Sequence, residues 1–227
     1  EFYVYSGAVN KLPCTVKDYV FSDFNEQQIQ KVTASSNTSF SEVWWFYPSS
    51  NSEENDRYVV FNYEQNVWYY GTLDRTCWVD RGVDSLPIAA GSDHYLYEHE
   101  NGLDDGSTVP ASAVVAHIES SQMDLGEGDQ FAFLSRLIPD ITFRDSTANT
   151  PTATFTLSAR NYPGGPYLQS EGDSVVKTAS APVEQFTNQV NTRLRGRSFN
   201  LKVETTTTET TWRLGTPRVD VRPDGGR

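Results

Sequence analysis

Alternation of apolar and polar residues recurs in the second half of the chain. Side chains along a β-strand point alternately to its two faces, so such a segment presents one apolar face and one polar face. The apolar positions of three such segments are Ala153, Phe155, Leu157 and Ala159; Phe199, Leu201 and Val203; and Val219 and Val221. This pattern predicts antiparallel strands that cover a core on one side, as in a β-sandwich.

The first half of the chain is richer in short aromatic segments. The apolar run Val43–Tyr47 predicts a strand that is covered on both faces. The segments 57–63 and 67–72 flank Glu64–Asn66 and predict a hairpin with a three-residue loop. Turn signals lie near Gly71, Gly82, Gly91 and Gly102. This spacing fits propeller-like blades or a meander, although no repeat is strong enough to fix a blade period.

One segment has a convincing helical signature. Asp23 followed by Glu26 has the order of a capping box, and Phe24, Ile29 and Val32 form a short apolar stripe. We expect one short helix near residues 23–36. The segment 182–190 also shows helical spacing, but we favour an extended lead into the next strand.

These patterns predict an all-β protein with two domains. Residues 1–110 form a propeller-like aromatic β region, and residues 111–227 form a β-sandwich domain. The segment 102–111 contains two acidic residues, two glycines and a proline and is the expected linker. The chain begins with Glu1 directly before an apolar run, and we expect it to be a fragment of a longer chain.

The net charge of −12 argues against a generally basic surface that binds nucleic acid. The charge is uneven: residues 1–130 carry 6 basic and 21 acidic residues, whereas residues 131–227 carry 12 and 9. The two halves therefore either face different neighbours or differ only by drift in surface composition. No apolar run approaches the ~18 residues that a membrane-spanning helix requires.

The two cysteines do not form a disulfide framework. A bond between Cys14 and Cys77 would close a loop of about 60 residues and would contribute roughly 4 kcal/mol in the chain-entropy model. Both residues lie in strand-like contexts and are expected to be small, buried side chains with free thiols. Their spacing does not match any metal-ligand pattern.

No catalytic, metal or cofactor site is expected from the motifs. His99 lies between Glu98 and Glu100, but strand alternation places the histidine on the opposite face from both carboxylates, which favours a solvated strand end over a metal site. The segment Gly126–Asp129 fits a hairpin turn better than a calcium loop. No nucleophile elbow, phosphate-binding loop or identifiable acid–base pair is present, and we expect that the protein is not an enzyme.

A basic cluster is the most informative candidate site. Arg193, Arg195 and Arg197 recur at every second position and would share one face of an extended strand. Their mutual repulsion requires anions opposite them, either acids of neighbouring strands or an acidic surface of another subunit. The acidic candidates for such a contact are Glu98, Glu100, Asp104 and Asp105.

Several segments in order resemble the C-terminal part of podovirus tail proteins of the nozzle type (tail tubular protein B) and of packaged-DNA stabilisation proteins. The resemblance covers nearly the whole chain and is most specific at the aromatic segments and at the Arg-Leu-Gly-x-Pro-Arg motif. The segments are 42–49, 55–60, 68–73, 87–91, 95–100, 160–163 and 212–225.

The resemblance implies a structural virion component with β-propeller and β-sandwich modules. It implies a homo-oligomer, expected to be a hexameric ring, that binds other tail and portal-adaptor proteins and continues or closes the DNA exit channel. Double-stranded DNA would pass without specific binding, and the protein would lie in the virion tail after assembly in the host cytoplasm. The alternatives are a virion glycan- or receptor-binding module and, less favoured, a glycan hydrolase. Exposed tryptophans and tyrosines would favour the glycan alternatives, and full burial of Trp44, Trp45, Trp68 and Trp78 would weaken them.

Overall fold

The computed structural model describes residues 1–124, 128–168 and 176–226 and confirms an all-β fold. The described strands form several antiparallel sheets, none of them closed into a barrel, and there are two short helical segments. The chain divides into two compact units, Glu1–Gly102 and Leu103–Arg227.

The first unit contains a hairpin, two helical segments and two sheets. The four-stranded sheet follows chain order, β3-β4-β5-β6, as a meander does, and the three-stranded sheet has the order β7-β8-β9. The elements are β1 (Phe2–Tyr5), β2 (Val9–Leu12), α1 (Lys17–Ser22), a 3-10 helix (Glu26–Lys31), β3 (Thr33–Asn37), β4 (Glu42–Tyr47), β5 (Arg57–Asn62), β6 (Val67–Thr72), β7 (Cys77–Val79), β8 (Ile88–Ala90) and β9 (Leu96–Glu98).

Strand β4 is covered on both faces, as its continuous apolar run predicted. Trp44 and Phe46 pack on one side, in a cluster that includes Trp78. Tyr47 and Trp45 pack on the other side, against the helical segments and the N-terminal strand. The predicted hairpin is also confirmed, with β5 and β6 paired in register over all six residues of each strand. Its loop has four residues, 63–66, and not the three that the sequence predicted, because β5 ends at Asn62.

The prediction of one short helix near residues 23–36 was wrong. The α-helix lies earlier, at Lys17–Ser22, and the predicted range holds the 3-10 helix Glu26–Lys31 followed by strand β3. The capping residue is Asn25, whose side chain accepts a hydrogen bond from Gln27 N. The 3-10 helix ends at Lys31 because the following residues, Thr33–Asn37, pair with residues 42–46 of β4. The tertiary pairing thus outweighs the helical pattern.

In the described part of the second unit, the strands form two larger sheets and two small ones. One sheet has the order β12-β19-β16-β17, with β13 also paired to β19, and the other has the order β18-β14-β21. The elements are β10 (Asp104–Asp105), β11 (Ser112–Ala113), β12 (Ala116–Glu119), β13 (Met123–Asp124), β14 (Ala132–Ile138), β15 (Ile141–Thr142), β16 (Thr152–Arg160), β17 (Thr178–Glu184), β18 (Val190–Gly196), β19 (Ser198–Thr205), β20 (Arg213–Leu214) and β21 (Arg218–Pro223).

The core of the second unit is formed between its two larger sheets. Phe155 and Val203 from the first sheet pack in one cluster with Leu134 and Leu194 from the second. Each of these side chains is at most 5% exposed, and the alternation along β16 matches the sequence pattern residue by residue. The arrangement is a β-sandwich. The segment 182–190 is extended at its ends, with strand β17 continuing to Glu184 and β18 beginning at Val190.

The division between the units falls after Gly102, whereas the sequence placed it after residue 110. The intervening segment belongs to the second unit because β10 pairs with β11 there. The carboxylate of Asp104 also accepts two hydrogen bonds, of 2.7 and 2.9 Å, from the backbone N of Glu209.

Three sequence expectations concern residues outside the regular core. Both cysteines are free, but Cys77 is exposed on β7 and Cys14 is only half-buried, so the expectation that both are buried was wrong. The turn predicted at Gly126–Asp129 begins outside the described residues. Among the described residues, no helix combines the length and apolar character needed to cross a membrane.

Candidate subunit interface

Arg193 and Arg195 share one face of β18, as the sequence predicted, and Arg197 lies directly after the last residue of the strand. Thr192 and Leu194 alternate with them and are buried, so the arginine side chains point away from the core. Arg193 is exposed, and Arg195 and Arg197 are half-buried.

Arg195 and Arg197 make contacts within their own unit. Arg195 forms an ion pair with Asp224, and its guanidinium lies 4.0 Å from the centroid of the Phe131 ring. Arg197 lies 4.8 Å from the same centroid and donates to the backbone oxygen of Gly226 at 3.3 Å. The carboxylate of Asp224, directly after β21, therefore supplies the negative charge that we expected opposite Arg195. Arg193 has no ion-pair partner among the described residues.

Strand register extends this basic surface across the sheet. Val219 and Val221 of β21 line an open apolar pocket on the core side of the sheet, so the alternating residues Arg218, Asp220 and Arg222 lie on the opposite side. Arg136 on the central strand β14 pairs with Asp220 at 2.5 Å. We call the resulting surface the arginine face, and it consists of Arg136, Arg193, Arg195, Arg197, Arg218 and Arg222, with Asp220 and Asp224 as its acids.

Sequence reasoning found only half of this surface. The alternation around Val219 and Val221 was visible, but the pattern does not reveal which strands are neighbours. In the structure, β18 and β21 both pair with β14, and Phe133 lies opposite Arg195 on one side and Arg222 on the other. Long-range pairing thus joins segments that are far apart in the sequence.

The acidic candidates divide between the two units. Asp104 binds the backbone of Glu209, and Asp105 accepts a 2.9 Å bond from the backbone N of Ser107. The Asp105 carboxylate therefore stabilises its own loop, and the Asp104 carboxylate joins this loop to a distant segment of the second unit. Glu98 is exposed on β9 and accepts a 3.1 Å bond from the Asn101 side chain.

Glu100 belongs to an acidic group that the sequence did not reveal. The carboxylate accepts a 2.9 Å hydrogen bond from Asn37, a fully buried side chain at the end of β3. Glu42, at the start of β4, lies opposite Asn37 in the register. Glu42 is 7% exposed, and its carboxylate accepts hydrogen bonds from Trp44 Nε1 at 2.9 Å and from the Tyr69 hydroxyl.

Two further carboxylates surround the same β3–β4 hairpin. Asp80 accepts 3.1 Å bonds from Ser36 Oγ and from the backbone N of Thr38. Glu64 accepts a 3.1 Å bond from Ser41 Oγ. We call this group the acidic end, and it consists of Glu42, Glu64, Asp80 and Glu100.

The carboxylates of the acidic end affect one another. Burial raises the pKa of Glu100, and the negative charge of Glu42 raises it further, while the bond from Asn37 acts in the opposite direction. Burial also raises the pKa of Tyr69, and its hydrogen bond to Glu42 adds to the effect. Glu100 as a whole residue is exposed, so solvent screens part of this cost, and a cation beside the carboxylate would offset the rest.

His99 differs from the solvated strand-end residue that the sequence predicted. Its ring lies 4.6 Å from the Trp78 ring, between centroids, and its Nε2 accepts a 2.8 Å bond from Arg75 Nε. The residue is half-buried between an aromatic surface and a cation. Within the described part of the chain, no group of three or more His, Cys, Asp or Glu side chains is arranged to hold a metal ion.

An apolar cavity of about 270 Å³ lies in the second unit, between its two larger sheets. It is lined by Ser120, Met123, Asp124, Leu134, Leu157, Phe199, Leu201, Pro217, Val219 and Val221. The cavity lies on the inner side of β21, and the arginine face lies on the outer side. Its lining contains one carboxylate and one hydroxyl, which do not form an acid–base pair.

Comparison with known proteins identified no relative of this chain. The chain matches no family model and no curated protein. The resemblance to podovirus tail proteins therefore stays a prediction from the sequence motifs.

Proposed function

We propose that this protein is a structural subunit of a short phage tail, forming part of a ring that continues or closes the DNA exit channel. The proposal starts from the motif resemblance, which implies a hexameric ring in contact with portal-adaptor and other tail proteins. The antiparallel β architecture in two units is compatible with it.

The observation that carries the proposal is the location of the tryptophans. Trp44 and Trp78 are less than 10% exposed and stack on each other at 5.2 Å between ring centroids. Trp45 and Trp68 stack on the other face of the same sheet, and Trp212 packs against the sandwich core. A glycan-binding module needs exposed aromatic faces, whereas Trp44 and Trp78 are buried and the other three tryptophans are partly buried against the cores.

A closed ring also needs two different surfaces on each subunit. Head-to-tail contacts between identical copies join one patch of a chain to another patch of the next copy. The arginine face and the acidic end are two such surfaces of opposite charge, and they lie in different units. The overall negative charge further suits a channel wall that must release DNA, because carboxylates repel phosphates.

The glycan hydrolase remains the second candidate because of one observation. Retaining and inverting glycosidases require two carboxyl groups, one of them with a raised pKa, and Glu100 next to Glu42 has this feature. The described contacts favour a structural role for the pair: Glu42 is bound by Trp44 and Tyr69, and Glu100 is bound by Asn37.

Immunolabelling of virions tests the proposed function. Antibodies against this chain would be bound to purified particles of the encoding phage and imaged by electron microscopy. We expect the label at the tail, below the portal vertex. Label on the capsid shell, or a chain that is absent from purified particles, would contradict the proposal.

A further inference from the structure

We propose that the arginine face of one copy docks on the acidic end of a second copy, so that these two surfaces form the subunit contact. The inference rests on the proposed function and identifies the residues on each side of the contact. The partner that binds the arginine face is a second copy of this chain.

The first step is the unbalanced charge of the arginine face. Six arginines lie on or beside three adjacent strands, and the only described acids that pair with them are Asp220 and Asp224. Arg193, Arg218 and Arg222 have no ion pair among the described residues. Alternate residues along a strand are roughly 7 Å apart and neighbouring strands about 5 Å, so these guanidinium groups repel each other unless an anion lies above them.

The second step is the unbalanced charge of the acidic end. Its carboxylates are held by neutral donors: hydroxyls, backbone N–H groups, an amide and an indole. None of the four forms a salt bridge within the described part of the chain. Glu100 is exposed to a second molecule, and a guanidinium beside it would offset the partial burial and the Glu42 charge that raise the pKa of its carboxyl group.

The third step is the apolar surface around these charges. Phe40, at the tip of the β3–β4 hairpin, is 50% exposed, and Tyr63, next to Glu64, is 53% exposed. On the other surface, Phe133 lies between Arg195 and Arg222. Stable interfaces commonly combine aromatic residues and arginine in the contact with a polar rim, and the two surfaces together supply these groups.

Charge complementarity favours a second copy over nucleic acid as the occupant. Residues 1–102 carry 15 acidic and 6 basic residues, so every copy offers the arginine face a strongly negative partner. A nucleic acid duplex would instead approach a chain with a net charge of −12. Arginine suits carboxylates because its planar fork forms paired hydrogen bonds with them.

The test uses two charge-reversed variants of the full-length protein. The face variant carries Arg193→Glu, Arg218→Glu and Arg222→Glu, and the end variant carries Glu64→Lys and Glu100→Lys. The matched controls are Arg144→Glu and Glu53→Lys, two exposed positions outside both surfaces. Association is measured by sedimentation velocity and mass photometry in 50 mM and 500 mM NaCl, and folding is measured by circular dichroism.

We expect each variant alone to associate about 100-fold more weakly than the native protein, because like charges then face each other. An equimolar mixture should associate again, since each reversed surface then meets a complementary one. The controls should associate as the native protein does, and high salt should weaken the native contact. Recovery in the mixture also shows that both variants are folded.

Native association by both variants, or a mixture that stays monomeric, would overturn the docking proposal. A native chain that stays monomeric in both salt concentrations would overturn it as well. Binding of a 20-base-pair DNA duplex that only the face variant loses, with association unchanged, would assign the arginine face to nucleic acid instead. Tail labelling of virions despite any of these results would leave the proposed function intact, so the two failures are distinguishable.

Discussion

Trp44 shows how one side chain serves both apolar packing and a buried charge. Its ring stacks on Trp78 and on Tyr58, at 5.2 and 4.8 Å between centroids, while its Nε1 donates to Glu42. Burying a carboxylate without donors is expensive, so the indole N–H is needed where Glu42 enters the core.

Replacing Trp44 should separate these two contributions. We expect Trp44→Ala to lower the free energy of unfolding by roughly 3–5 kcal/mol, since it leaves a large cavity. Trp44→Phe keeps most of the apolar contact but leaves Glu42 without one donor, and should cost about 1–3 kcal/mol. Urea denaturation measures both. Unfolding curves that coincide with that of the native chain would show that β4 is not central to the first unit.

Glu100 gives the first unit a definite pH dependence. Its pKa is raised in the folded protein, above its usual value of 4.5, so folding favours the protonated form. The carboxyl group therefore stabilises the fold most below pH 4.5, and this stabilisation is lost as the pH rises through the folded pKa.

Glu100→Gln should remove this dependence. We expect its melting temperature to exceed that of the native protein at pH 7, and the difference to shrink as the pH falls to about 4. Thermal melts at both pH values measure the effect. Glu98→Gln is the control, since Glu98 lies two residues earlier, at the end of β9, and is not part of the acidic end. A larger advantage of Glu100→Gln at pH 4 than at pH 7 would refute the assigned direction.

At the scale of the element, β18 contains arginines with different surroundings. Arg195 pairs with Asp224 and stacks on Phe131, whereas Arg193 has neither contact among the described residues. A reversal of all three arginines would therefore also place two carboxylates together at Asp224. The face variant leaves Arg195 and Arg197 unchanged for this reason.

Single reversals on β18 should differ in their effect on stability. We expect Arg195→Glu to destabilise the isolated chain by about 1–2 kcal/mol, because it loses an ion pair and a cation–π contact and gains a repulsion. Arg193→Glu should change stability by less than about 0.5 kcal/mol. Chemical denaturation of the two variants side by side measures this contrast. Equal losses would mean that Arg193 has a partner equivalent to Asp224.

Sequence periodicity correctly predicted the elements in which the local pattern of apolar residues agrees with the packing of the folded chain. The alternation of β16 and the continuous apolar run of β4 each correspond to the burial that the structure shows. The segment 23–36 failed because its outcome was decided by pairing of Thr33–Asn37 with β4, which no local pattern records. Its expected apolar stripe also fails at Ile29, which is 62% exposed.

At the scale of the whole molecule, the sequence predicted part of the candidate interface. The shared face of Arg193, Arg195 and Arg197 follows from strand geometry alone. The addition of Arg218 and Arg222 depends on strand order, and the grouping of Glu42 with Glu100 depends on long-range packing. Such proximities depend on how the chain folds, and the pattern of residues in a single sequence does not reveal them.

The proposed structural role also predicts what the protein will not do. We expect dialysis against a chelator to leave the melting temperature unchanged and incubation with host polysaccharides to release no sugar. Reducing-end assays and thermal melts measure these outcomes, with Glu100→Gln as the matched variant. Sugar release by the native protein that this variant abolishes would assign Glu42 and Glu100 to glycan hydrolysis.

Negative-stain electron microscopy of the purified full-length protein tests the central claim most directly. The account predicts closed rings with a central channel in low salt, because repeated head-to-tail contacts form a ring when the rotation between neighbouring copies closes the circle. It predicts that the rings dissociate in high salt, because salt screens the attraction between the charged surfaces. Monomers or open, irregular aggregates at every salt concentration would contradict the claim that the protein is a ring-forming subunit.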